Sequence, residues 1–163
     1  QYQAGLRVIE ENKKVLLEKA SIMNEMFFLQ IIYSHARIYF GVMQTHSANY
    51  WLQFIFYFFF NSYNKKFHFW AKMLHFLMYW KDENSDFVKS LSKSIVNFAQ
   101  KYGIESVMEQ YLVRKLGEMN RILHQIATIE MKVVASEIRM YLQQNKPQEA
   151  YFDYEKWWEK NPL

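Results

Sequence analysis

Five histidines in a 163-residue chain without cysteine are the side chains best suited to chemistry. On a helix, two metal donors converge on one ion only at spacings of three or four residues. His68 and His75 are seven apart, about 10.5 Å along a helix axis, so they share a face without sharing an ion. The Glu-x-x-His pair of di-iron bundles and the His-Glu-x-x-His motif are both missing. No metal and no cofactor is expected. With Lys72 between them, His68 and His75 read as a solvated edge.

His35 has a different setting. At helical spacing it falls among Phe28, Ile32, Tyr39 and Val42, all apolar or aromatic. A histidine there suits an axial ligand, a proton carrier or a pH-sensitive lock, but it is read as a core histidine hydrogen-bonded to a neighbour. Arg37 lies close by on a narrow polar strip. It has the fork geometry for a carboxylate or phosphate, and its expected partner is an acid of this same chain.

Nucleophile and phosphate motifs are missing. Four glycines, at positions 5, 41, 103 and 117, cannot build a phosphate loop. No Gly-x-Ser-x-Gly elbow occurs. The adjacent Glu10 and Glu11 point apart on a helix. The expectation is a protein that is not an enzyme.

The elements that must position these residues are helices. Half of the residues are hydrophobic, while glycine and proline are scarce, which disfavours the tight turns of a β-sandwich. A first helix is expected from Tyr2 to Gln44. Arg7, Glu11, Lys14, Glu18, Ser21 and Glu25 form its wet face. Ile22, Met26, Leu29, Tyr33, Ala36, Phe40 and Met43 form an apolar stripe. Beyond Phe27 the pattern predicts burial nearly all round. After a break at "QTHSAN", where Thr45 or Ser47 can cap, the stretch from Trp51 to Trp80 is nearly half aromatic. Gln53, Tyr57, Asn61, Asn64, Lys65, His68, Lys72, His75 and Tyr79 keep one phase, which predicts one continuous helix with a single wet edge. Its longest window free of charge and histidine contains Gln and Asn, so a membrane span is not expected, although contact with a membrane surface stays open.

A third helix is predicted after "KDENSD", capped by Asn84 or Ser85 and stopped by Gly103 in a left-handed conformation. Its buried face would be Val88, Leu91, Ile95, Phe98 and Tyr102. A fourth is predicted from Glu105 to Gln144, with Leu112, Leu116 and Met119 inward and Gly117 outward. A short last helix follows Pro147. No repeat or linker marks a boundary, so residues 1–163 read as one domain. The fold class is all-α, an antiparallel bundle of about four long helices with a short C-terminal one.

The net charge of +4 is dispersed among acids, which argues against a nucleic-acid partner. The expected role is a non-catalytic structural or interaction module, docking on a partner protein or on itself through aromatic surface. Its expected interface is Trp51, Phe54, Phe59, Trp80, Trp157 and Trp158. The alternative is a sensor or carrier holding a small apolar or aromatic ligand between helices, near Phe28, Ile32, His35, Arg37, Tyr39, Phe58 and Trp70. The polar, charged opening carries no signal-peptide pattern, residue 1 being Gln fits a mature or excised chain, and no compartment is implied.

Overall fold

The structure is a computed structural model. It describes residues 2–58, 65–80, 85–103 and 106–122, together with Val133, Ser136, Glu137, Met140, Tyr141 and Gln144; the side chains of Phe58, Ser85, Arg121 and Ile122 fall outside that description. The all-α class holds. Six α-helices and one 3-10 turn are formed among the described residues. The chain divides into two compact units, residues 1–78 and 79–163.

The first unit opens with α1 (Tyr2–Lys19), a 3-10 turn (Ala20–Ile22) and α2 (Glu25–Gly41). The single helix expected over Tyr2–Gln44 is therefore two. The Asn24 side chain accepts hydrogen bonds from the N–H groups of Met26 at 3.0 Å and Phe27 at 3.4 Å, which caps α2. This cap interrupts a hydrophobic rhythm that contains neither glycine nor proline. The expected stripe fails where the break falls, since Ile22 and Met26 are exposed.

The two helices run antiparallel, because Gly5 approaches Ile38 and Gly41 approaches Tyr2. The approach is close. A Cβ on Gly5 would lie 2.9 Å from Ile38 Cδ1, and one on Gly41 would lie 2.8 Å from the Tyr2 ring. Helix α1 buries only Ile9, and its predicted wet face is exposed throughout. Helix α2 buries eight residues, from Phe28 to Phe40, on several sides.

Met43, at φ 64°, turns the chain out of α2. The Gln44 N–H donates to the Tyr39 carbonyl and the Met43 N–H to the Phe40 carbonyl, both at 2.9 Å. That pair of bonds is a Schellman motif, with methionine where glycine is usual. Helix α3 (Thr45–Phe58) then packs back along α2.

Helix α4 (Lys65–Tyr79) does not continue the axis of α3. The rings of Phe56 and His75 lie 5.5 Å apart, whereas nineteen residues of straight helix would separate them by about 28 Å. Tyr33 of α2 meets Phe67 edge-on at 6.2 Å, and its hydroxyl donates to the Trp70 carbonyl at 3.5 Å. So α4 folds back on α2 and α3, and the continuous helix expected from Trp51 to Trp80 is not formed.

In the second unit, α5 (Ser85–Tyr102) and α6 (Val107–Ile122) form a hairpin. Gly103, at φ 72°, stops α5 as its sequence position predicted, and its N–H bonds the Ala99 carbonyl at 3.0 Å. Val88, Ser92, Ile95 and Ala99 are the buried residues of α5, while Leu91, Phe98 and Tyr102 are half-buried. The Ser92 hydroxyl donates to the Leu116 carbonyl at 3.3 Å. Leu112, Leu116 and Met119 are buried, and nothing stands near the site of a Cβ on Gly117. The expected helix from Glu105 to Gln144 is not straight. Tyr111 and Tyr141 stack at 3.8 Å, though thirty residues of helix would span about 45 Å. The short helix expected after Pro147 lies outside the described residues.

Candidate functional site

A polar cluster of the first unit joins its first three helices. From α1 come Glu10 and Lys13, from α2 His35 and Tyr39, and from α3 Tyr50 and Trp51. His35 and Tyr39 are four residues apart, so they share a helix face. The His35 imidazole stacks on the Trp51 indole with centroids 4.7 Å apart and planes 22° from parallel. The Tyr39 hydroxyl donates a short hydrogen bond to the Glu10 carboxylate. The Lys13 ammonium lies 5.2 Å from the centre of the Tyr50 ring and 5.7 Å from that of Trp51.

Burial sets the proton affinities. It pushes His35 down to about 4, against the pull of the Glu10 carboxylate and the Ile31 carbonyl and with a small push from Lys13. It raises Tyr39 to about 12, reinforced by the hydrogen bond and charge of Glu10, with the Trp51 indole acting the other way. The imidazole is therefore neutral and the phenol protonated at neutral pH. Neither group is poised to exchange a proton near pH 7, as an efficient general acid or base requires. The arrangement ties three helices together.

Arg37 stands apart from the other expected ligand-site residues of α2. Phe28, Ile32, His35, Tyr39 and Trp70 are all buried. His35 and Tyr39 face α1 and α3. The Arg37 guanidinium instead lies 6.0 Å from the centre of the Tyr33 ring, the residue that meets α4. Of the expected interface, Trp51 is 0 % exposed and Trp80 is 5 % exposed, so neither offers an outer surface. Phe54 is half-buried beside Tyr50 and Trp51. The Phe58 side chain, Phe59, Trp157 and Trp158 lie outside the described residues.

The solvated edge expected at His68, Lys72 and His75 is corrected. His68 is buried, and Lys72 and His75 are half-buried beside Phe56. The cause is the return of α4 against α3, which turns this edge toward an aromatic ring. Burial and then the Lys72 charge pull His75 down to about 4, and burial lowers Lys72.

The second unit holds a cleft of about 300 Å³ lined by Tyr111, Arg114, Lys115, Glu137, Met140, Tyr141 and Gln144. Lys115 pairs with Glu118 at 2.8 Å and with Glu137. The Arg114 guanidinium lies 5.3 Å from the centre of the Tyr111 ring.

Lys13 and Tyr50 were not singled out in the sequence, and Glu10 was considered only as a carboxylate beside Glu11. Their contacts need the α1–α2 hairpin, whose one sequence signal is Asn24. Among the described residues, no three His, Asp or Glu side chains are grouped to hold a metal ion, and no helix is long and apolar enough to cross a membrane. Comparison with protein families, curated proteins and solved structures finds no match to this chain.

Proposed function

We propose that this chain is a non-catalytic interaction module that docks on a partner protein through apolar side chains at one end of its first unit. The observation that carries the reading is the exposure of Ile22 at 81 %, Phe27 at 55 %, Tyr57 at 80 % and Met26 beside them. The 3-10 turn supplies Ile22 and the start of α2 supplies Met26 and Phe27. Helix α3 runs antiparallel to α2, so its last turn brings Tyr57 to the same end. Scattered exposed apolar residues are ordinary on a protein surface, but several large ones at one end suit a partner.

A photo-reactive phenylalanine analogue at position 27 or 57, in the protein expressed in its own source, tests this. A discrete cross-linked protein is expected from both positions and none from position 93 on the exposed face of α5. Equal yields from all three would count against the reading.

A second reading, a carrier of a small ligand, is supported by the cleft at Tyr111 and Tyr141. Its volume is at the lower end of small-molecule sites. A native mass spectrum carrying an extra few hundred daltons, removed by Tyr141→Ala, would favour it over the first.

A further inference from the structure

The outer face of α1 carries a pattern that complements itself when reversed. Ala4, Val8 and Val15 are exposed and fall on one line at about 100° per residue. Ile22, in the 3-10 turn that follows, lies beyond the end of that line and is largely exposed. Beside it runs a row of exposed charges that alternate in sign, Arg7, Glu11, Lys14 and Glu18. Within the chain these pair as Arg7–Glu11 at 3.2 Å and Lys14–Glu18 at 3.9 Å.

A second copy can be turned end for end about a point between Asn12 and Lys13. Arg7 then comes opposite the partner's Glu18, and Glu11 opposite the partner's Lys14. Val8 meets the partner's Val15 two residues out of step, and Ala4 meets the partner's Ile22 one residue out of step, small against large. Two-fold symmetry repeats each contact, as an isologous interface requires. A parallel pairing in register would set each charge beside its own like.

We propose that the outer face of α1 is a docking surface whose occupant is a second copy of this chain, packed antiparallel. The inference rests on the reading of the chain as an interaction module and adds a second surface to it. Eighteen residues of helix span about 27 Å, so the contact is small and the dimer weak.

Sedimentation velocity of the full chain, from low to several hundred micromolar, is the test. Reversible dimerisation is expected. The variants E11K/E18K and R7E/K14E each face themselves with like charges and should stay monomeric, with helix content unchanged by circular dichroism. An equimolar mixture of the two should dimerise. Orientation is read by cysteines, since the chain has none of its own. V8C mixed with V15C should form a mixed disulfide on oxidation, whereas V8C alone should not cross-link. A wild-type chain that stays monomeric throughout, or V8C that links to itself as readily as to V15C, overturns the proposal. A monomer whose position 27 still cross-links to a different protein would remove this dimer and keep the interaction-module reading.

Discussion

The imidazole of His35 and the indole of Trp51 stack 4.7 Å apart in the core of the first unit, and the stack ties α2 to α3. Its neighbours complete the tie to α1, through Glu10 on Tyr39 and Lys13 over Trp51. A flat neutral ring stacks well on indole. A charged ring must first be desolvated, which the buried site opposes.

Acid should therefore loosen the first unit. His35 and His75 are both held at about 4, against 6.5 for an ordinary histidine. Between pH 6.5 and 4 the unfolded chain takes up protons that the folded imidazoles refuse. Stability falls as pH falls through that window and levels off below about 4. Glu10 pulls against this at His35, while Lys13 there and Lys72 at His75 add to it. Each histidine should cost on the order of 2 kcal/mol between pH 7 and pH 4, with solvent screening allowed for. Urea unfolding at both pH values checks this. His35→Phe should remove about half of the difference, and an unchanged pH dependence would refute the assignment.

The reciprocal approach of Gly5 to Ile38 and Gly41 to Tyr2 gives a second expectation. A Cβ at either position meets a side chain inside normal contact distance. Ile38 meets it with a δ-methyl that can rotate away, so Gly5→Ala should be near neutral, its steric cost offset by a helix-propensity gain of about 1 kcal/mol. Tyr2 meets it with a ring and must move as a whole. Gly41→Ala should therefore destabilise by about 1 kcal/mol or more, as overpacking does. Tyr2→Ala should suppress that loss in a double-mutant cycle. Additive effects would show that the two residues are not coupled.

Which parts of this could be read from the sequence follows from the kind of signal each leaves. Helices leave a 3.6-residue rhythm, so the all-α class, the buried α2 and the wet face of α1 were legible. Gly103 was legible because glycine in a left-handed cap is a local signature. The helix end set by Asn24 was not, since it does not interrupt the hydrophobic count, whereas the break beyond Gly41 was marked by "QTHSAN". Missing that end joined α1 to α2, an unbroken phase joined α3 to α4, and a helix drawn too long hides every contact made by folding back. His68, Lys72 and His75 show the consequence. Their common phase was real, but at Lys72 and His75 the side of the helix that water reaches was decided by Phe56, a residue on another element. The His35 environment was partly legible for the opposite reason, as Phe28, Ile32 and Tyr39 lie on its own helix. Glu10 and Lys13 come from a different one.

Met43 itself is a third handle. A methionine in the left-handed region carries a steric cost that glycine does not, about 1 kcal/mol. Its side chain is 64 % exposed, so its loss removes little packing. Met43→Gly should stabilise the first unit by about 0.5 kcal/mol, after allowing for the added freedom of glycine in the unfolded chain. Met43→Val should destabilise by about 1 kcal/mol, because a branched Cβ fits that region worse. Thermal melts in parallel decide it, and a stabilising valine would contradict the cap.

Lys115 offers the corresponding test in the second unit. Its ammonium bridges Glu118, one turn on along α6, and Glu137, which lies twenty-two residues further along the chain. The hydrogen bonds to Glu118 and Glu137 hold it protonated above the ordinary lysine range. The Tyr111 hydroxyl adds a bond to the Glu137 carbonyl at 3.3 Å, and the Tyr141 ring covers Tyr111. Lys115→Gln should leave two carboxylates facing each other without their cation. The expected loss is roughly 1 kcal/mol at low salt, shrinking as salt screens the repulsion. Glu137→Gln in the same background should recover part of it, because one of the repelling charges is then gone. Hydrogen exchange should locate the change at Glu137, Met140 and Tyr141, with α5 unaffected. Equal loosening of α5 would mean that Lys115 supports the whole unit and not the segment that closes over Tyr111.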